Sequence, residues 1–147
     1  WVEDHRLAAS GYPASKGQLQ WLVGRGIEAI LTLTPEPLPK ELVSGLPLEL
    51  AHVPMQDHQA PTVESLAEGA KVVKEFLGEG KAVDVHCLAG EGRTGCVLAA
   101  YLMSERSMTA EEALKSLRAI KPLFVEPVQE SALREYEASL RANRPAK

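Results

Sequence analysis

Cys87 and Arg93 stand six residues apart in the run Val85-His86-Cys87-Leu88-Ala89-Gly90-Glu91-Gly92-Arg93-Thr94-Gly95, which holds the groups needed to handle a phosphate. An apolar stretch, Lys81 to Val85, precedes it, and another, Cys96 to Met103, follows. That order predicts a strand, a glycine-rich turn and the first turn of a buried helix. Backbone N–H groups of such a turn, with the positive end of the helix behind them, form an anion cradle. Within it, the amides of Leu88, Ala89, Gly90, Glu91, Gly92 and Arg93 are the expected phosphate ligands. Arg93 adds a guanidinium that can grip an oxyanion in a two-pronged fork. A thiol ringed by these groups is favoured as thiolate, the form of cysteine that acts as a nucleophile.

The bulk properties narrow the class. The chain has 147 residues, 45% of them hydrophobic and 24% charged, which predicts one globular domain over 1–147 with a sizeable core. No apolar run reaches the roughly 20 residues of a membrane span. Trp1-Val2-Glu3-Asp4-His5-Arg6 lacks the basic-then-apolar layout of a signal peptide. The numbering opens on Trp1 rather than Met, as expected if it begins inside a longer natural chain. Two cysteines do not make a disulfide framework, and a reducing cytoplasm is the expected compartment. A net charge of −4 weighs against nucleic acid or an anionic membrane as the main partner.

The elements that must position the loop follow in chain order. Leu7–Ser10 reads as a short strand ending at Gly11-Tyr12-Pro13. Ser15 to Gln18 has the form of a capping box, and Leu19, Leu22 and Val23 follow at helical spacing before Gly24 and Gly26. Ile27 to Leu33 reads as a buried strand. Pro35, Pro37 and Pro39 make the next stretch a loop. Leu48 to Val53 is a further strand closed by Pro54, and the polar loop Met55 to Pro61 carries Asp57 and His58. Thr62 caps a helix whose inner face is Leu66, Ala70, Val73 and Leu77. The helix from Thr94 to Glu105 is apolar nearly all round, so it is expected at the centre. Thr109 to Glu112 is a second capping box, with Leu114, Leu117 and Ile120 as the packed face. A last helix is expected from Pro127 to about Arg141, with a loose tail after it. Strand, loop and helix in alternation predict an α/β fold with a mainly parallel sheet of about four to five strands flanked by helices. In such sheets the site lies beyond the carboxyl ends of the strands, where the Asp57 and Cys87 loops both begin.

The stretch HCLAGEGRTG matches the pattern His-Cys-x5-Arg-Thr/Ser, and the chain thereby resembles the cysteine-dependent protein-tyrosine phosphatases. Glycines at 90, 92 and 95, the length and the segment order are similar to those of small, single-domain dual-specificity-type phosphatases. The resemblance implies hydrolysis of phosphomonoesters through a phosphocysteine intermediate, without metal or other cofactor. Cys87 is then the nucleophile and Arg93 the phosphate clamp. Thr94 hydrogen-bonds the sulfur or caps the helix, and one hydroxyl can do both. Relatives place the general acid about thirty residues before the cysteine, which selects Asp57. Glu64, Glu68 and Asp84 fit less well because they fall inside predicted helix or strand. The same comparison offers Gln129 as the residue that positions the hydrolytic water, against an exposed place at a helix start. His86 is expected to orient the loop through hydrogen bonds. His58 is expected as a solvated loop histidine, and Cys96 as a small core residue.

Phosphoinositide phosphatases of this superfamily carry basic residues within the loop, where this chain has Leu88 and Glu91. A rim carboxylate repels a polyphosphorylated head group. The expected partners are phosphotyrosine-containing proteins or peptides, with phosphoserine and phosphothreonine reached only if the pocket is shallow. The expected enzyme is a monomer. Three rivals remain: a rhodanese-like sulfurtransferase, which leaves Asp57 and the Arg-Thr pair unexplained; a non-catalytic phosphopeptide-binding module; and a lipid or nucleotide phosphatase with the same mechanism.

Overall fold

A computed structural model describes residues 1–142. Its centre is a four-stranded sheet of β1 (Leu7–Ser10), β2 (Ala29–Thr32), β3 (Glu49–His52) and β4 (Val83–His86). The strands lie in the order β1-β4-β2-β3 and all neighbours run parallel. The α/β fold and the strand number agree with the sequence reading; β1 has the bounds read from the sequence, and β2, β3 and β4 are shorter than the apolar runs that announced them.

Because successive strand residues face opposite sides, the sheet has two cores. Leu31, Val83, Val85 and Cys87 join the larger one, under α3 (Val63–Gly78), α4 (Gly92–Arg106), α5 (Ala110–Ile120) and α6 (Glu130–Ala142). Ile30 and Ala82 join the smaller one, with Leu19 and Leu22 of α1 (Lys16–Gly24). A short helix, α2 (Lys40–Val43), also packs there, at the end of the proline-rich connector read from the sequence as loop throughout.

α4 is buried from Arg93 to Met103, as its all-round apolar sequence predicts. It lies close against α3: a Cβ on Gly69 would stand 2.9 Å from a methyl of Val97. The helix starts are capped largely as read. Thr62 Oγ1 accepts from Ser65 N–H at 3.0 Å, and Thr109 and Glu112 form the reciprocal capping box. At α1 the box is displaced: Ser15 Oγ accepts from Gln18 N–H, while the Gln18 side chain reaches Ala14 N–H instead of Ser15. Ile120 was expected in the core and is exposed, because α5 ends there and the chain turns away at Lys121-Pro122; Ala110 and Ala113 supply the buried face with Leu114 and Leu117. The final helical segment begins as a 3-10 turn, Pro127–Gln129, before α6. The tail expected beyond Arg141 lies outside the described residues apart from Ala142. No helix among the described residues is long and apolar enough to cross a membrane.

Candidate active site

All four strands point the same way, so the loops after β1, β3 and β4 emerge along one edge, and the predicted site residues gather there. Cys87 follows β4 directly and is buried. The turn to α4 contains Gly90 at φ 77°, in the left-handed region that glycine enters without steric cost. A Cβ there would stand 2.5 Å from the carbonyl oxygen of Ser10, so the turn rests on the end of β1. Tyr12 N–H donates to Leu88 C=O at 2.9 Å and binds the same strap to the turn. Gly90→Ala is therefore expected to destabilise the fold by about 2–3 kcal/mol, from backbone strain plus overlap with Ser10, as chemical denaturation would show.

Thr94, in the first turn of α4, donates its hydroxyl to Cys87 Sγ at 3.2 Å. The hydroxyl thereby holds the sulfur against the first turn of α4. Arg93 is buried beside it. One guanidinium nitrogen donates to Met55 C=O at 3.0 Å, another lies 3.3 Å from Asp57 Oδ1, and the buried Nε has no protein partner. Asp57, in the loop after β3, thus reaches the arginine that stands beside the cysteine.

His86 is fully buried, and desolvation is the main cause holding its imidazole below the usual histidine range. The ring is therefore neutral at pH 7. The carbonyl of Cys87, 3.1 Å from Nδ1, can only accept, so Nδ1 carries the proton. Nε2 then accepts from the hydroxyl of Thr32 at 2.8 Å. His86 thereby ties the backbone at Cys87 to β2 and takes no charge of its own.

Gln129 is fully buried rather than exposed at a helix start. Its Oε1 accepts from Glu126 N–H at 2.9 Å and its Nε2 donates to Gln59 C=O at 3.3 Å. A Cβ on Gly92 would stand 2.9 Å from that amide, so Gln129 lies directly against the start of α4. Glu91 is half-buried at the rim, 3.8 Å from Lys121 Nζ. Leu88 is exposed. Cys96 sits in the core of α4, and burial, with the charge of Cys87 behind it, pushes its thiol up to about 12.

Three contacts at this edge were not predicted from the sequence. Asp84 of β4 is fully buried and accepts from Ser10 Oγ at 2.7 Å, while its Oδ1 has no partner. His58 bridges two carboxylates, those of Asp57 and Glu126. Arg118 of α5 donates to the carbonyls of Phe124 and Val125, whose segment closes over the start of α4 through Val125 N–H to Glu91 C=O at 3.2 Å. A charged residue inside an apolar strand, as in Val83-Asp84-Val85, was the one sequence signal available for the first.

A family model for the DSP-PTPase phosphatases of polymorphic toxin systems matches residues 8–107, from β1 through α4 and therefore across the cysteine loop and Asp57. The chain belongs to this family. Among curated proteins it is 30% identical over 117 residues to phosphatidylglycerophosphate phosphatase PTPMT2 of Arabidopsis thaliana, covering 76% of this chain and 51% of that one. It is 28% identical over 127 residues to tyrosine-protein phosphatase cdcA of Emericella nidulans, covering 86% of this chain and 21% of the relative. The chain thus spans about half the length of the first relative and about a fifth of the second. Among solved structures, Tk-PTP in its active form superposes with a TM-score of 0.83 at 33% identity, over 94% of this chain and 95% of the other. Human DUSP28 shares the fold, with a TM-score of 0.81 at 23% identity over 97% of this chain and 98% of that one.

Proposed function

We propose that the chain is a phosphomonoesterase acting on protein phosphotyrosine, through a phosphocysteine intermediate on Cys87. The observation that carries this reading is the convergence on one turn of a hydroxyl aimed at Cys87 Sγ, a buried arginine and Asp57, 3.3 Å from that arginine.

In the first half-reaction the thiolate of Cys87 attacks phosphorus and forms the P–S bond as the ester P–O bond breaks. Arg93, through its unpartnered Nε, and the loop amides hold the three non-bridging oxygens. Asp57, protonated, gives its proton to the leaving oxygen. In the second half-reaction water attacks phosphorus, Asp57 takes a proton from that water, and the P–S bond breaks. Thr94 stabilises the departing sulfur, and Gln129, beside Gly92, orients the water. The chemistry uses no metal or cofactor. The unit we assign to it lies within residues 1–147 and acts as a monomer; the two free cysteines support a reducing cytoplasm as its compartment.

A lipid phosphomonoester is the second reading, favoured by the 30% identity to a phosphatidylglycerophosphate phosphatase. Against a polyphosphorylated head group stands the rim carboxylate of Glu91, which Lys121 offsets only at 3.8 Å. Turnover of phenyl phosphate, phosphotyrosine, phosphoserine and phosphatidylglycerophosphate, measured against pH without added metal, tests the reading. Aryl preference is the expected result; preference for the lipid would transfer the assignment, and phosphopeptide binding without turnover would end it. Asp57→Asn is expected to lower kcat/KM for phenyl phosphate by about 10²-fold or more, and that for dinitrophenyl phosphate far less, since kcat/KM reports the phosphorylation of Cys87 and an activated leaving group needs no proton there. Equal loss on both would remove Asp57 as the acid.

A further inference from the structure

His58 lies next to the proposed acid, at the surface, yet its ring is not free. Nδ1 stands 2.8 Å from Glu126 Oε1, and Nε2 stands 3.4 Å from Asp57 Oδ2. Its backbone is left-handed at φ 57°, a conformation that a non-glycine residue holds only against a steric cost. In that conformation His58 N–H also donates to Asp57 Oδ1 at 3.0 Å. The ring and the backbone of one residue therefore both contact the carboxylate that has to deliver the proton.

The other end of the bridge is anchored. Glu126 N–H donates to Gln129 Oε1, and Gln129 in turn donates to Gln59 C=O, two residues past Asp57. Two bonds thus cross between the acid loop and the segment before α6, at the two residues that follow Asp57. The segment is itself held to α5 by Arg118 and to the phosphate turn at Glu91. On its other side the acid loop is held by Arg93 at Met55 C=O.

We propose that the His58–Glu126 bridge latches the acid loop, so that His58 and Glu126 are positioning residues that set Asp57 over the phosphate turn together with Gln129. This rests on the phosphatase reading above and adds two residues to it. An ionised Glu126 only accepts, so the bridge needs the proton on Nδ1 and presents Nε2 to Asp57. The latch acts on the two proton transfers that use Asp57, not on the sulfur or the oxyanion ligands.

The test is a double-mutant cycle on the intact chain, read with phenyl phosphate and dinitrophenyl phosphate. His58→Asn removes the bridge while keeping a residue type that tolerates the left-handed backbone. Glu126→Ala removes the other partner, and Glu126→Gln keeps an acceptor for Nδ1–H. The latch predicts that His58→Asn and Glu126→Ala each lower kcat/KM for phenyl phosphate by about tenfold, a part of what the acid supplies. Their kcat/KM for dinitrophenyl phosphate should be largely spared. The double variant should lose no more than either single one, and Glu126→Gln should keep most of the activity. Fully additive losses of kcat/KM, equal losses of kcat/KM on both substrates, or wild-type kcat/KM for phenyl phosphate in His58→Asn would overturn the latch. Those results leave the phosphatase assignment standing, because phosphorylation by dinitrophenyl phosphate needs only the turn and Cys87; absence of dinitrophenyl phosphate turnover in the unmodified chain would defeat the assignment itself.

Discussion

Cys87→Ser is expected to abolish turnover while preserving the affinity for inorganic phosphate. The serine hydroxyl keeps the size of the side chain and can still accept from Thr94, which lies 3.2 Å from the sulfur. It does not keep the anion. Removal of a covalent nucleophile commonly costs about 10⁴-fold or more in kcat, because the remaining groups bind and polarise the ester without splitting the reaction into two steps. The cradle survives, since Arg93 and the turn are set by Met55, Asp57 and Ser10 rather than by the sulfur. Loss of the thiolate also removes one negative charge facing a dianion. Phosphate should therefore raise the melting temperature of the variant at least as much as that of the parent protein. Residual turnover within about tenfold of the parent would take the nucleophile assignment away from Cys87.

Asp84→Asn is expected to stabilise the protein above neutral pH and to leave it unchanged in acid. Asp84 is fully buried, with one hydrogen bond from Ser10 and an unpartnered Oδ1. Burial raises its carboxyl from 3.8 to about 7, partly opposed by the Ser10 hydroxyl and the Trp1 ammonium. The folded pKa is the higher one, so the sign is fixed. Below about pH 4 the group is neutral in both folded and unfolded chains and has no effect. As pH rises towards 7 the unfolded chain ionises while the folded one retains its proton, and stability falls by about 1.4 kcal/mol per pH unit. The accumulated penalty is on the order of 4 kcal/mol, from roughly three units of displacement. Asparagine keeps the shape, can pair with Ser10 and does not ionise. Urea denaturation at about pH 3 and about pH 8 would show the variant gaining only at the higher pH. A loss at the higher pH would mean that the carboxylate is ionised and paired there. Because Ser10 C=O supports Gly90, the same substitution also reports on how firmly the turn is held from β1.

The legible part of this molecule was local. Cys87, Arg93 and Thr94 lie within one turn, and their joint position follows from a strand, glycines and a helix start that stand together in the sequence. Thr62 and Thr109 announced their helices for the same reason: a cap is a bond between residues three apart. Asp57 was reached through resemblance. The rest depends on residues brought together from far apart. Ser10 and Asp84 are 74 residues apart, His58 and Glu126 are 68, and Thr32 and His86 are 54. Each pairing exists only because the parallel sheet or the closing loop sets both partners at one edge, which no local spacing encodes. The helix α2 was missed because three prolines dominate the stretch before it, and Ile120 was misplaced because helical periodicity does not say where a helix ends.

Turnover by this route passes through a phosphoryl group carried by Cys87. Asp57→Asn should make that intermediate accumulate, because an activated ester phosphorylates the sulfur without an acid while hydrolysis lacks its base. Acid quenching during turnover of dinitrophenyl phosphate, followed by digestion and mass measurement, reads it directly. One phosphoryl group is expected on the peptide containing Cys87, appearing with the burst and absent from Cys87→Ser. A phosphoryl group on another residue, or continued turnover with no phosphorylated peptide, would contradict it.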